Sequence, residues 1–267
     1  MDRYRVTNGR DFRLADWDPG VTGSFDGGKA EARDELDGLT SHLDDLQEQL
    51  YANGQRRVLV VLQGMDTSGK GGTIRKVFDG VDPSGVRVAA FKAPTEAELA
   101  RDFLWRVHPH VPRNGELVIF DRSHYEDVLI VRVRGLVPAK QWKARYRHIR
   151  DFERMLAAEG TVILKFFLHI SEDEQQERLQ ARLDNPDKHW KFRVADLEER
   201  KRWDDYQLAY EAAIRETAAP HAPWFVVPAN RKWYRNLVVC RTLVTTLEGL
   251  GLDYPPSPDD LSNVVVD

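Results

Sequence analysis

Hydrophobic and polar positions along the 267-residue chain follow two alternating patterns. Short, nearly continuous apolar runs rich in β-branched and aromatic residues predict strands at residues 57–63, 86–91, 117–120, 161–170 and 224–228. Between them, apolar residues recur three or four positions apart, which predicts helices. Buried apolar strands that alternate with helices are typical of parallel sheets. The pattern therefore predicts an α/β fold with a central parallel sheet covered on both faces.

The predicted helices begin and end at ordinary capping signals. Thr95 to Glu98 forms a capping box, Ser171 precedes an acidic first turn, and Gly160 follows a long helix. Residues 1–28 show no period and are predicted to form an irregular arm. The predicted helices cover residues 29–50, about 70–81, 95–107, 138–160, 171–184, about 195–217 and 234–250.

The stretch after the first strand has the order strand, phosphate loop, helix. Gly64 ends the apolar run, four residues intervene, and Gly69-Lys70 leads into a segment with helical spacing. Glycines let the backbone wrap tightly, so that N–H groups, a helix N-terminus and a lysine surround a phosphate. The alternative is a tight turn with an exposed lysine. The predicted phosphate-binding loop consists of Gly64, Met65, Asp66, Thr67, Ser68, Gly69, Lys70, Gly71, Gly72 and Thr73.

The loop departs from the usual phosphate-loop pattern at one position. A Ser or Thr that binds magnesium normally follows the lysine, but this chain has Gly71 there and Thr73 two residues later. Asp66 lies inside the loop, where a carboxylate beside phosphates is costly unless a cation lies between them. We therefore expect Asp66 to bind magnesium or to position the transferred phosphate.

A second candidate lies at the end of the third predicted strand. Asp121 follows four apolar residues, as does the strand-end carboxylate that holds magnesium in phosphate-loop proteins. Because sites in parallel sheets form at the carboxyl ends of strands, Gly64 and Asp121 are expected at the same edge. Arg122 is then well placed to neutralise a phosphate in transfer. The alternative for Arg122 is a surface ion pair with Glu126 or Asp127.

Residues 128–150 contain no acidic side chain but seven Lys and Arg. Opposite charges normally mix on a solvated face, so an unmixed run suggests an anionic partner, either a nucleic acid or an inorganic phosphate chain. A solvated face is the alternative. The run consists of Arg132, Arg134, Lys140, Lys143, Arg145, Arg147 and Arg150.

Two arginines on the helix after the fourth strand have two possible roles. Arg178 and Arg182 lie one turn apart, where like charges repel. They can pair with Glu174 and Glu177, or they can belong to a mobile lid that lowers both guanidinium groups onto phosphates. The physical arguments for the two are nearly balanced. The lid would continue past Asn185-Pro186 with Lys188, His189, Trp190 and Lys191.

Composition narrows the possible partners. The 39 Lys and Arg and 43 Asp and Glu give a net charge of −4, so a polyanion would need a local basic surface. The single cysteine, Cys240, rules out an intramolecular disulfide, and a reducing cytoplasm is the expected setting. Residues 1–13 lack the apolar core of a signal peptide, and no apolar run approaches the ~20 residues that span a membrane.

Four segments together resemble the polyphosphate kinase 2 family, and the resemblance extends over essentially the full chain. The phosphate loop, with a glycine pair after its lysine, resembles the first motif of the family, and residues 120–128 resemble the second. Residues 178–192 resemble the lid segment, and residues 230–234 resemble the region before the last helix. The four segments are GMDTSGKGG, FDRSHYEDV, RLQARLDNPDKHWKF and NRKWY.

The resemblance implies a P-loop kinase fold, with three α/β/α layers around a central parallel sheet and a helical lid, similar to thymidylate kinase. It implies reversible phosphoryl transfer between inorganic polyphosphate and a nucleotide, by direct in-line transfer without a phosphoenzyme and with Mg²⁺ or Mn²⁺. Residues 1–54 would form an arm and a packing helix. Residues 55–255 would form the kinase core, with its lid at about 178–195, and residues 256–267 a tail.

The resemblance also implies a role for each candidate residue. Asp66 and Asp121 would hold the metal, and Glu126 and Asp127 would face the nucleotide. Lys70 and the loop would hold phosphates at the transfer point. The side chains expected to offset the developing charge are Arg122, Arg178 and Arg182. The side chains expected to bind the polyphosphate chain are Arg75, Lys76, Arg132, Lys140, Lys143 and Lys188.

The resemblance bears on substrates as well. Residues 124–127 look like those of members that act on both nucleoside mono- and diphosphates, although some similar members have Asn at the position of Asp121. The expected partners are polyphosphate, AMP, ADP and ATP, with guanine nucleotides as further substrates. A homo-oligomer, either a dimer or a tetramer, is expected, without nucleic acid or membrane.

Two other functions are open from the sequence. An ATP-dependent nucleoside monophosphate kinase would share the fold and the lid, but a compact donor needs neither Gly71 nor the basic run of residues 128–150. A nucleotide-binding regulatory or nucleic-acid-binding protein agrees poorly with the negative net charge and with the lack of a recognised nucleic-acid motif. Formation of ATP from polyphosphate as sole donor separates the three.

Overall fold

A computed structural model describes residues 2–23, 25–262 and 264–266. The strands within these residues are β1 (Arg5–Val6), β2 (Arg57–Gln63), β3 (Val86–Ala90), β4 (Leu117–Asp121), β5 (Thr161–His169) and β6 (Trp224–Pro228). They form one sheet of order β1-β6-β5-β2-β4-β3. Every neighbouring pair is parallel except β1 and β6. The predicted parallel sheet is confirmed.

Strand β2 lies at the centre of the sheet. Leu62 of β2 pairs with Asp121 of β4 on one side and with Phe166 of β5 on the other. The side chains of residues 58–62 are fully buried, because helices cover both faces, and this explains why the strand has no polar alternation. The two strands that flank β2 both come later in the chain, so the loop after β2 starts at a topological switch point, where α/β sheets bind ligands.

The helices of the described residues are α1 (Lys29–Asn53), α2 (Lys70–Val77), α3 (Glu96–Leu99), α4 (Ile130–Val133), α5 (Ala139–Ala158), α6 (Glu172–Leu183), α7 (Val194–Arg200), α8 (Trp203–Thr217) and α9 (Lys232–Glu248). Six of them form two groups. Helices α1, α2 and α9 pack together, and α4, α5 and α8 form the other group, in which α5 also packs on β5. In the part of the chain that is described, no helix has the length and apolar character to cross a membrane.

The N-terminal arm is more regular than the sequence predicts. Its residues Arg5 and Val6 form an antiparallel edge strand, with Arg5 opposite Phe225 of β6. Phe12 and Leu14 are buried, and the hydroxyl of Tyr4 lies 2.7 Å from that of Tyr234. A two-residue strand has no hydrophobic period, so sequence patterning could not detect it.

Three predicted helices differ from the structure. The predicted helix over residues 95–107 is wrong, because only α3 is helical. The Asp102 carboxylate accepts hydrogen bonds from the backbone N–H groups of Leu104 (3.0 Å) and Trp105 (3.1 Å), which offers the chain a turn in place of a helix. The predicted helix of residues 195–217 is divided into α7 and α8 by residues 201–202, and α2 ends at Val77.

Candidate active site

A cavity of about 740 Å³ opens at the carboxyl edge of the sheet, between the ends of β2 and β4 and helix α6. Ten of its lining side chains are Lys or Arg, whereas two are carboxylates. It is lined by Asp66, Thr67, Gly69, Lys70, Gly71, Gly72, Arg75, Ala90, Phe91, Lys92, Asp121, Arg122, Arg178, Ala181, Arg182, Lys188, Trp190, Lys191, Lys232 and Arg235. Such an excess of positive charge suits a polyanionic ligand.

The loop after β2 has the backbone of a tight phosphate-binding turn. Gly69 has a φ of 105° and precedes α2, and Thr67 has a φ of 66°, which is rare for a residue with a side chain. A Cβ at Gly69 would overlap the guanidinium group of Arg235. This position therefore needs a glycine for both its conformation and its space.

Lys70 is the first residue of α2, and its side chain folds back into the loop. Its Nζ donates hydrogen bonds to the carbonyl oxygens of Gly64 (2.7 Å) and Met65 (3.3 Å). Burial, together with the positive charge of Arg122, lowers the pKa of Lys70. The ammonium group is thus held at the base of the loop, where a phosphate would compensate its buried charge.

Asp66 and Arg122 form an ion pair that joins the loop to the end of β4. Arg122 Nη2 lies 2.7 Å from Asp66 Oδ1. Burial of Arg122 disfavours its charge, but the carboxylates of Glu126 and Asp66 outweigh this effect and raise its pKa. The partner that contacts Arg122 directly is thus Asp66 of the loop, while Glu126 adds a nearby negative charge.

Asp121 ends β4 and lines the same cavity as Asp66. Carboxylate oxygens are ligands that Mg²⁺ and Mn²⁺ prefer, and Mg²⁺ usually takes one or two carboxylates together with waters and substrate phosphates. The two side chains therefore fit a site for either ion. The described residues contain no group of three or more His, Cys, Asp or Glu side chains arranged to hold a metal.

Arg178 is held against the loop by five acceptors and is only 8% exposed. Its Nη1 donates to the carbonyl oxygens of two loop residues, its Nη2 to those of two residues after β6, and its Nε to a carboxylate on its own helix. The acceptors are Thr67 (2.9 Å), Ser68 (3.0 Å), Ala229 (2.6 Å), Asn230 (3.0 Å) and Glu174 (2.6 Å). The predicted pairing with Glu174 is present, and Arg178 also clamps the loop to β6.

Comparison with known proteins identifies the family. The model of the family Polyphosphate kinase 2 (PPK2) matches residues 27–252. The chain belongs to this family. It is 64% identical over 266 residues to the AMP/ADP-polyphosphate phosphotransferase of Meiothermus ruber, which covers 100% of this chain and 99% of the relative.

Two further comparisons agree with this assignment. The ADP-polyphosphate phosphotransferase of Rhodopseudomonas palustris is 43% identical, over 95% of this chain and 91% of the relative. The crystal structure of polyphosphate kinase 2 from Arthrobacter aurescens TC1 superposes with a TM-score of 0.93 at 47% identity, over 96% of this chain and 92% of that one. The predicted family, its P-loop kinase fold and the transfer of phosphoryl groups between polyphosphate and a nucleotide are confirmed.

This polyphosphate kinase 2 brings most of the predicted site residues to one place. Arg75, Arg182 and Lys188 line the cavity with the loop, and Arg182 Nη1 donates to the carbonyl oxygen of Lys191 at 3.3 Å. The hydroxyl oxygens of Thr67, Ser68 and Thr73 are buried without a hydrogen-bond partner among the described residues. The individual catalytic and binding roles of these residues stay predictions.

The basic run of residues 128–150, which contains no acidic residue of its own, does not form an unmixed positive surface in the folded protein. Carboxylates from other elements pair with it, because residues far apart in sequence become neighbours. Arg134 pairs with Glu199, Arg145 with Asp127 at 2.9 Å, and Arg150 with Glu216 at 3.6 Å.

Only some of the predicted polyphosphate-binding residues lie at the cavity. Arg132, Lys140 and Lys143 are not among the described residues that line the cavity, and Lys76 pairs with Asp79 at 2.9 Å outside it. The Arg132 guanidinium group lies 4.9 Å from the centre of the Trp142 ring, and Lys140 and Lys143 are exposed. Binding of polyphosphate outside the cavity, by Lys76 on α2, by Arg132 on α4 and by Lys140 and Lys143 on α5, remains a prediction.

The two candidates for nucleotide binding, Glu126 and Asp127, are not among the described residues that line the cavity. Burial raises the pKa of Glu126, against the opposing charges of Arg122 and Lys70. Burial also raises the pKa of Asp127 to about 6, although Arg145 lies beside it. Both carboxyl groups are therefore easier to protonate than ordinary surface carboxylates.

Several site residues were not found from the sequence. Arg235 lies in the first turn of α9, and its side chain lines the cavity and donates to the Ser68 carbonyl oxygen at 3.1 Å. Burial, with the nearby charge of Arg178, lowers its pKa to about 9. Lys92 and Lys232 also line the cavity. The sequence carried little signal for Arg235, because α9 also contains Arg241, which pairs with Glu35 instead.

Proposed function

We propose that this polyphosphate kinase 2 uses both AMP and ADP as phosphoryl acceptors, transfers the group reversibly and in line from inorganic polyphosphate, and requires Mg²⁺ or Mn²⁺ at Asp66 and Asp121. The observation that carries the proposal is the cavity of ten cationic and two carboxylate side chains at the ends of β2 and β4. The similarity to an AMP/ADP-polyphosphate phosphotransferase supports the choice of acceptors.

The side chains of the cavity would have different roles in phosphoryl transfer. The loop N–H groups and Lys70 would hold phosphates at the amino end of α2, where the helix dipole favours negative charge. Arg122 would offset charge that develops on the transferred group, and Arg182 would add charge from α6. A metal at Asp66 and Asp121 would supply charge neutralisation between phosphate oxygens. Positioning and charge compensation are what phosphoryl transfer needs most.

The positive charge of the cavity continues away from the loop. Lys92 follows β3, Lys188 and Lys191 follow α6, and Lys232 begins α9, so cations surround the transfer point on more than one side. An extended phosphate chain can contact several of these groups at once. We expect guanine nucleotides to be accepted as well, the enzyme to form a dimer or a tetramer, and the cytoplasm to be its compartment.

The test uses purified enzyme, Mg²⁺ and polyphosphate as the sole donor, with AMP or ADP in separate reactions. We expect ADP and then ATP to form from AMP, and ATP to form from ADP. Chelation of the metal should stop both reactions, and added Mn²⁺ should restore them. Activity with ADP alone would reject the acceptor proposal. Activity only with ATP plus AMP would favour a nucleoside monophosphate kinase.

The predicted surface of Lys140 and Lys143 can be tested separately. Replacement of both lysines by Glu should weaken the use of long polyphosphate more than the use of short polyphosphate, because only a long chain can reach beyond the cavity. The control is Lys29→Glu, which changes one exposed charge at the start of α1, outside the set of predicted polyphosphate-binding residues. Equal effects of the double variant on both chain lengths would show that these lysines belong to a solvated face.

A further inference from the structure

A fully buried group of polar side chains lies behind the segment that follows β4. We call it the polar cluster. It contains a lysine and a glutamate whose side chains have no more than 1% of their surface exposed. Its members are His124, Tyr125, Glu153, Lys165, Thr217 and Trp224. Burial of an ion pair is costly, and apolar side chains of similar volume often give equal or greater stability. The cluster therefore calls for an explanation other than stability.

Lys165 donates three hydrogen bonds within the cluster, one from each ammonium proton. Its Nζ lies 2.6 Å from Glu153 Oε2, 2.9 Å from the Tyr125 hydroxyl oxygen and 2.9 Å from the Thr217 carbonyl oxygen. Lys165 is on β5, Glu153 on α5 and Thr217 at the end of α8. An ammonium group has three donors and no acceptor, so each of these contacts has a fixed direction.

Tyr125 connects this ion pair to the catalytic edge of the sheet. Its hydroxyl oxygen lies 2.7 Å from Glu153 Oε1 and 2.9 Å from Thr217 Oγ1, and it accepts a hydrogen bond from Lys165 Nζ. Trp224 Nε1 donates to the same Thr217 hydroxyl at 2.9 Å. Tyr125 lies three residues after Arg122 in the short helical turn of residues 124–127. The cluster therefore fixes that turn to β5, α5 and α8.

Arg122 has an unfavourable backbone conformation at the start of this segment. Its φ is 63°, in the left-handed region, where a residue with a side chain persists only if its surroundings hold it there. Its backbone N–H donates to the Leu62 carbonyl oxygen at 3.1 Å. On the other side, the Gln63 side chain hydrogen-bonds the Ser123 hydroxyl oxygen at 3.1 Å. The hydrogen bonds of Tyr125 then fix the other end of the segment that begins at Arg122.

We propose that the polar cluster positions Arg122 for phosphoryl transfer. By fixing Tyr125, it keeps Arg122 in the left-handed conformation and so directs the guanidinium group to Asp66 and the cavity. Tyr125, Lys165 and Glu153 are positioning residues in this scheme, because they act through Arg122 and do not touch the substrate. The inference rests on the proposed role of Arg122, and the experiment below separates the failure of one from the failure of the other.

The first variant is Tyr125→Phe, which removes only the hydroxyl group. We expect kcat to fall about tenfold, equivalent to about 1.4 kcal/mol in the barrier, with little change in the KM for polyphosphate. Tyr4→Phe is the matched control, because it also removes a buried tyrosine hydroxyl, one that contacts Tyr234, but lies in the arm. It should retain the wild-type kcat. A wild-type kcat for Tyr125→Phe would overturn the proposal.

A double-mutant cycle with Arg122→Ala decides the mechanism. If Tyr125 acts through Arg122, Tyr125→Phe should change kcat by less than about twofold in the Arg122→Ala background. A tenfold loss in both backgrounds would overturn the positioning proposal while leaving the role of Arg122 intact. A wild-type kcat for Arg122→Ala itself would instead reject the proposed function of Arg122.

A paired replacement tests whether the cluster serves stability alone. Lys165→Met together with Glu153→Gln removes both charges, so that no unpaired charge is left buried. We expect a folded protein with a reduced kcat, since the donors that fix Tyr125 and Thr217 are lost. Thermal unfolding, measured in parallel, verifies the fold. A folded double variant with the wild-type kcat would show that the ion pair does not position the site.

Discussion

Replacement of Arg178 by Lys should destabilise the protein before any substrate binds. The substitution keeps the positive charge that a lid would bring to a phosphate, but it removes the planar fork of donors. If Arg178 clamps the loop to β6, as its hydrogen bonds indicate, the free energy of unfolding should already be lower in the free enzyme. If Arg178 acts only on bound phosphate, the free enzyme should be unaffected.

The magnitude follows from the hydrogen bonds. Arg178 has five acceptors, four of them backbone carbonyl oxygens. A lysine has three protons, so at least two acceptors lose their donor. At about 1 kcal/mol for each acceptor, the loss is about 2 kcal/mol, which should lower Tm by roughly 4–8 °C in a chain of this size.

The assay is thermal unfolding without nucleotide or polyphosphate, by calorimetry or circular dichroism. Arg182→Lys is the matched control one helical turn away, because Arg182 donates a single hydrogen bond, at 3.3 Å, to the Lys191 carbonyl oxygen. Its free energy of unfolding should change by less than ~0.5 kcal/mol. A wild-type Tm for Arg178→Lys, combined with slow turnover, would refute the clamp and favour a direct contact with phosphate.

Three further predictions concern the loop, the metal site and a buried histidine. Gly69→Ala should lower both Tm and kcat, because a φ of 105° is unfavourable for alanine and the nearby Arg235 guanidinium group leaves no room for a Cβ. Gly71→Ala should keep the wild-type Tm, because the space around its Cβ is open. Equal Tm values for the two variants would contradict the strain argument. Asp121→Asn should abolish most turnover without changing Tm. In a metal titration of the rate, the variant should need a higher Mg²⁺ concentration for its half-maximal rate. An unchanged titration would remove Asp121 from the metal site. Burial lowers the pKa of His169 to about 4, so wild-type stability should fall by up to about 3 kcal/mol as the pH is lowered from 6.5 to 4. The Tm difference between wild type and His169→Gln should narrow over that range, and a constant difference would show that His169 is not buried in its neutral form.

The direction of the pH effect of His169 follows from the protons bound by the folded and the unfolded chain. The unfolded chain binds a proton at an ordinary histidine pKa near 6.5, whereas the folded chain binds one only near pH 4. Between these values the unfolded state holds more protons, so stability rises with pH and is fully present above about 6.5. Raised pKa values at Glu126 and Asp127 work in the opposite direction, which is why the comparison with His169→Gln is needed.

Local sequence determined the elements that carry the site. The apolar runs of β2 and β5 and the glycine-lysine pattern after β2 are properties of consecutive residues, so strand, loop and helix could be assigned without the fold. The carboxyl ends of parallel strands meet at one edge, so Asp66 and Asp121 could also be expected close together. The structure places both in one cavity.

Tertiary structure decided the features that depend on residues distant in sequence. Arg178 has acceptors in three separate segments, Arg235 enters the site from the last helix, and the acid-free run of residues 128–150 meets its carboxylates only after folding. The capping box at Thr95 is present, but Asp102 ends the helical pattern with its own hydrogen bonds. The sequence by itself determined the phosphate loop, because the physics of the loop is local, and the kinase class followed from the resemblance of four segments to a known family. Packing decided which charges face the substrate and which hold the loop, because the energy of a charge depends on its neighbours in space.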